Sequence, residues 1–250
     1  MLVFRFAVIV SLVAGFCSSS LAQSPSEPSD FSRFAVPTAP EAPNPVARFL
    51  KTERALWTDP FKAGRKDAKW LVPLAIGTGA LLATDRRSVE EVGEVKGISG
   101  ISDGLSRSGS IAVYAGPAAL WVAGRLFHDE KTQTTGIRTF EAVLHATTVT
   151  TVLKAVSRRE RPMTGDGRGG FWDGGKSFPS GHTSTAFAFA SALAGEYPDN
   201  RWIKWGAYGF ATGVGLSRIG GLHHFPSDVL VGASLGYLIG HYVVRHDRYE

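Results

Sequence analysis

From Arg48 onward the apolar residues fall into blocks with helical spacing, separated by Gly, Pro and charged positions. The pattern predicts helices near 49–57, 68–84, 110–127, 137–159, 182–196, 201–217 and 227–245. No run of alternating apolar and polar residues marks a strand, and no fixed-period repeat is present. The expected fold class is therefore all-α, a bundle of about six or seven helices.

The first 47 residues read differently. "MLVFRFAVIVSLVAGFCSSSLAQ" carries Arg5, an apolar run from Phe6 to Cys17 and small residues before Ala22. That is the layout of a secretory signal peptide spanning 1–22, cleaved after Ala22. Residues 23–47 are rich in Pro, Ser and Ala and read as a flexible leader, which leaves 48–250 as the working domain. Cys17 is the single cysteine, so a mature chain would have neither a disulfide nor a cysteine metal site. The expected location is outside the cytoplasm, periplasmic or at the outer face of a membrane.

The three most apolar stretches are "WLVPLAIGTGALLAT", "SIAVYAGPAALWVAGRLF" and "DVLVGASLGYLIGHYVV". Each is shorter than the roughly 20 residues a span wants, and Gly, Pro, Arg or His interrupts it. The mean hydropathy of the chain is +0.00. These features favour a soluble or peripherally associated domain over a bundle of spans. The formal charge of +5, from 27 basic and 22 acidic residues, suits an anionic small substrate or membrane surface. No basic block of the nucleic-acid type is present.

Three polar clusters stand out from the helical background. In "KAVSRRERP", Lys154 and Arg161 lie seven apart and fall on one helix face, and Pro162 ends the helix. Arg158 falls near that face and Arg159 points away. In "FPSGHTSTAFAFASALAG", Ser180 and Gly181 open a helix whose free amides suit an anion, with His182 beside them. In "SRIGGLHHFPSD", Asp228 begins a helix four residues after His224, close enough for its carboxylate to orient the imidazole. Taken singly, these are also a dipole-complementing helix end, a serine cap and a first-turn acid.

Together they match K-x6-R-P, P-S-G-H and S-R-x5-H-x3-D in order, and the chain from about 68 to 245 resembles the type 2 phosphatidic acid phosphatase family (PAP2). That family is related to class A acid phosphatases and vanadium haloperoxidases. The resemblance implies that His224 is the nucleophile, that Asp228 orients it and that His182 serves the leaving oxygen and then water. It also implies that Lys154, Arg161, Arg218, Ser180 and Gly181 hold the phosphate. It leaves His223 without a role, at the rim or in packing. The expected activity is phosphate monoester hydrolysis through a phosphohistidine, without metal or cofactor. The substrate class is a phosphorylated lipid or a small soluble ester. Between the first two clusters, residues 163–177 hold six glycines and form a loop. Its Phe171 and Trp172 either offer an apolar lip or pin the loop to the bundle. Vanadate-dependent halide oxidation and a non-catalytic anion-binding envelope protein are the alternatives.

Overall fold

The computed structural model describes residues 44–62, 64–94, 98–164 and 167–246. The signal peptide and nearly all of the leader lie outside the described residues. Seven α-helices make up the described chain: α1 Pro45–Thr58, α2 Ala68–Gly93, α3 Ile98–Phe127, α4 Glu130–Ser157, α5 Gly181–Glu196, α6 Arg201–Gly220 and α7 Pro226–His246. No strand occurs among the described residues.

Several helices outrun their apolar cores, because polar residues along them satisfy themselves locally. In α2 the polar tail is carried by Arg86–Glu90 and Arg87–Glu91 pairs one turn apart, at 2.8 and 2.9 Å. In the serine-rich start of α3, Ser108 and Ser110 return their hydroxyls to the carbonyls of Gly104 and Ser106. Along α4, Thr135, Thr139, Thr147, Thr150 and Thr151 do the same, each to the carbonyl four residues back. Caps fix the starts. Asn44, Asp129 and Asn200 accept from the first free amides of α1, α4 and α6.

The centre of the bundle is α5, a 16-residue helix that is apolar or small on nearly every side. Ala188 and Ala192 pack with Ala142, Ala146 and Val149 of α4 and with Ile239, Val243 and Val244 of α7. Ala186 and Ala190 face Val113 of α3, Val143 of α4 and Ala207, Ala211 and Val214 of α6. The closest pairing is α5 against α7. A Cβ on Gly236 would stand 2.1 Å from the Ser184 carbonyl oxygen, and one on Gly240 2.4 Å from that of Ala188. Backbones that near require glycine.

Of the expected soluble or peripherally associated domain, the outer surface favours the membrane-associated form. Gly100–Phe127 and Pro226–His246 are each long and apolar enough to cross a membrane, and only 17% of the most apolar window of the first is buried in the protein. Trp70 and Ile76 of α2, Ile101, Ile111 and Phe127 of α3, and Trp202 and Trp205 of α6 all lie largely exposed. The sequence undervalued these helices because polar residues dilute them, while the fold turns the apolar ones outward.

Gly236→Val should lower stability by at least ~1–3 kcal/mol through overpacking of α5 on α7. Gly206→Ala, where a Cβ meets nothing within 4 Å, should be neutral or stabilising by up to ~1 kcal/mol. Thermal unfolding of the two variants side by side checks this, and equal midpoints would contradict it.

Candidate active site

The first cluster is assembled by a chain reversal. Helix α4 stops at Ser157 because Arg158 takes the left-handed conformation, φ 46°, with its N–H on the Lys154 carbonyl. The shared helix face expected for Lys154 and Arg161 therefore does not exist. The charge of Arg161 nevertheless bears on Lys154 from beyond the helix end. The Lys154 Nζ donates to the carbonyls of Lys176, 2.7 Å, and Ser177, 3.2 Å, which ties the glycine-rich loop to α4.

At the start of α5, Gly181 stands beside Lys154: a Cβ there would lie 3.5 Å from the lysine Cε. His182 stands at the mouth, open to solvent on one side only. Ser180, expected in the phosphate cradle, has no solvent access, and its hydroxyl pairs with Thr183 Oγ1 at 2.9 Å. Its N–H donates to the Asp228 carbonyl at 3.0 Å, so it locks α5 to α7 beneath the mouth.

The third cluster separates the two histidines. The N–H groups of His223 and His224 both donate to the Arg218 carbonyl, at 3.0 and 3.2 Å, at the end of α6. Gly221 makes the turn possible, because a Cβ there would meet His223 Cδ2 at 3.0 Å and both Asp103 and Ser217 at 3.2 Å. His224 turns inward and is 1% exposed, with Nδ1 3.5 Å from Asp228 Oδ2 and 3.4 Å from Ser177 Oγ. His223 remains at the rim, its Nε2 3.0 Å from Asp103 Oδ1 on α3. Asp228 is fully buried. Its Oδ2 accepts from Ser177 Oγ at 2.6 Å and Phe225 N at 3.0 Å, and its Oδ1 from Arg159 Nη1 at 2.7 Å. Arg218 is also buried and bonds to Ser106 of α3, while its Nε has no hydrogen-bond partner.

Sequence reasoning missed Arg159, Asp85, Ser177, Ser106 and Asp103. Arg159 was discounted because an uninterrupted helix would point it away. Asp85 and Ser106 precede Ser227 and Arg218, their partners, by 142 and 112 residues, and no spacing signals such pairs.

The charges at the mouth repel one another. Burial first, then Arg161 and Arg218, push Lys154 down to about 8, against a partial restoring pull from Asp228. Burial and Arg161 lower Arg218 to about 10, opposed by Asp103. Desolvation, then Arg218, Lys154, Arg161 and His223, bring His182 to about 4. His224 is also at about 4, chiefly through burial, with Asp228 opposing and Lys154 and Arg218 adding to the shift. The site thus combines concentrated positive charge with two neutral imidazoles, an arrangement that a tetrahedral anion relieves.

A buried histidine–carboxylate pair thus lies beside cations that repel one another, set in an all-α bundle. Residues 136–250 match the model of the PAP2 superfamily. Over 65 residues it is 46% identical to the lipid A 1-phosphatase of Porphyromonas gingivalis, a stretch covering 26% of this chain and 15% of that protein. Over 85 residues it is 38% identical to the Schizosaccharomyces pombe protein named "Probable diacylglycerol pyrophosphate phosphatase 1", covering 29% of this chain and 30% of that one. These matches span less than a third of either relative. The fold is similar to the crystal structure of a transmembrane PAP2-type phosphatidylglycerolphosphate phosphatase from Bacillus subtilis. There the TM-score is 0.52 at 22% identity, over 82% of this chain and 94% of that one.

Binding of a tetrahedral dianion should draw in protons. With Lys154 at about 8, a substantial fraction is deprotonated at pH 8, and a neighbouring dianion favours the ammonium form. Calorimetric titration with tungstate, which does not itself titrate near pH 8, should give heats that vary with the buffer's protonation enthalpy in the direction of uptake. Buffer-independent heats would contradict the crowded-cation description.

Proposed function

We propose that this chain is a metal-independent phosphatase of phosphorylated lipids, working at a membrane surface through a phosphohistidine on His224. The observation that carries this reading is the buried His224–Asp228 pair, set among three cations whose charges bear on one another. Asp228 faces Nδ1 of the ring, which favours the proton there and leaves the Nε2 lone pair for attack. Lys154, Arg161 and Arg218 receive the phosphate oxygens, and the unpartnered Arg218 Nε supplies one donor. The Gly181 amide at the start of α5 adds another.

In the first step Nε2 forms a bond to phosphorus as the ester P–O bond breaks, and His182 gives its proton to the leaving oxygen. In the second, His182 takes a proton from water, the water oxygen attacks phosphorus and the P–N bond breaks. His182 is neutral in the empty site. An arriving dianion offsets the cations that hold it so, which makes the proton available when the leaving group needs it. Three fixed cations and helix-end amides supply the charge stabilisation that a metal gives elsewhere.

The lipid substrate is supported by the names of the two relatives, by the apolar outer faces of α2 and α3 and by Trp172. Phe171 pins the loop, with its ring 5.5 Å from Phe178 and 4.9 Å from the Arg159 guanidinium carbon. Trp172, at φ 66°, stays exposed and forms the apolar lip alone. The signal-like start supports a site on the outer side.

His224→Ala should lower phosphate ester hydrolysis by at least ~10³-fold, whereas His223→Ala should keep most of it. The reverse result would overturn the assignment of the nucleophile. In detergent, activity should survive EDTA, and kcat/KM should favour phosphatidate over a soluble aryl phosphate. A strict magnesium requirement would sink the metal-free mechanism, and a preference for the aryl ester would replace the lipid reading with the soluble-ester one.

A further inference from the structure

Behind His224 lies a buried cluster that the mechanism above does not use. Arg159 is 2% exposed and every nitrogen of its guanidinium has a partner. Its Nη1 donates to Asp228 Oδ1 and Ser227 Oγ, both at 2.7 Å, its Nη2 to Asp85 Oδ2 at 2.8 Å and its Nε to the Gly169 carbonyl at 3.0 Å. The rings of Phe225 and Phe171 bracket it, 4.3 and 4.9 Å from its central carbon. Asp85, on α2 and 1% exposed, also accepts from the Ser227 N–H at 3.1 Å and from the Ser227 hydroxyl.

We infer that Asp85 and Arg159 are positioning residues that fix the carboxylate of Asp228 and, through it, the ring of His224. Asp228 Oδ1 is occupied by Arg159, so Oδ2 is the oxygen left to face Ser177, the Phe225 N–H and the imidazole. Without the guanidinium Oδ1 has no partner, only the Ser177 hydroxyl and the Phe225 N–H still hold the carboxylate, and the orienting contact to the ring weakens. Charge makes a second contribution. Two carboxylates and one guanidinium leave the cluster one negative charge in excess. When Nε2 takes the phosphoryl group with Nδ1 still protonated, the ring becomes cationic, and that surplus lies behind it. Asp85 therefore favours the phosphorylated ring although it touches neither substrate nor histidine. This inference rests on the phosphohistidine reading.

Asp85→Asn keeps the shape and removes the charge. It should lower kcat by roughly 10- to 100-fold, with KM and the affinity for tungstate within about twofold of wild type, because the cations at the mouth are untouched. Ser227→Ala removes the hydroxyl that touches both Arg159 and Asp85, leaves their direct pair in place and adds no new donor. It should shift kcat in the same direction by less, and it serves if Asp85→Asn does not fold. With ¹⁵N-labelled histidine, the His224 ring nitrogens should move away from the single Nδ1-protonated form in either folded variant. Unchanged kcat and unchanged ring resonances would overturn the inference, as would an equal fall in kcat and tungstate affinity, which marks general loosening. Wild-type protein that hydrolyses no phosphate ester would refute the proposed function instead, and the ring resonances would still decide the positioning role.

Discussion

Asp228 has no access to water, and a carboxylate in that position stays ionised only if protein donors replace its hydration. Meeting that requirement organises the surrounding structure. Ser177 brings in the glycine-rich loop, the Phe225 N–H tightens the turn before α7 and Arg159 closes the remaining side. Arg159 is itself a buried cation, and its compensation reaches across to Asp85 on α2. A helix, a loop and a turn far apart in sequence are thus held to one oxygen pair. The bearing of His224 follows from where those donors stand.

The same residue connects the reactive end to the packing of the bundle. The Asp228 carbonyl accepts from the Ser180 N–H, and a Cβ on Gly232 would lie 2.6 Å from the Ser180 carbonyl oxygen. The first turns of α5 and α7 are therefore in backbone contact, which sets His182 and Asp228 in register. Glycine at 232, 236 and 240 continues that approach for two further turns of α7. Small residues in the centre of the bundle are in this sense part of the site's geometry. A bulkier α5 would move one histidine relative to the other.

The sequence conveyed the helical class and grouped most of the mouth residues, because both depend on short-range spacing. It failed where a local feature was extrapolated. Placing Lys154 and Arg161 on one helix face extended the helix past its end, since the left-handed Arg158 closes α4 at Ser157. For Ser180, spacing gave the residue but not the direction of its hydroxyl, which lies inside with Thr183. The ties from Asp85 to Ser227 and from Ser106 to Arg218 left no trace in spacing, since tertiary packing alone creates them. The outward apolar faces were hidden for a related reason: a hydropathy average cannot tell which side of a long helix meets the protein.

The placement of charge around His224 bears on its tautomer without reference to any single hydrogen bond. Asp228 and, behind it, Asp85 and Arg159 lie on the Nδ1 side with a net negative charge. The charges of Lys154 and Arg218 act on the same ring from the cationic mouth, and both disfavour its protonation. A neutral imidazole with Nδ1–H toward the carboxylates and its lone pair toward the cations has its dipole along that gradient, while the other tautomer has it reversed. The 3.5 Å separation between Nδ1 and Oδ2 is long for a hydrogen bond. The gradient supplies orientation that this contact alone does not. Under the proposed mechanism the same gradient reconciles cations with a histidine nucleophile: they hold the ring unprotonated and collect the dianion, and the carboxylates behind the ring compensate the charge it would acquire.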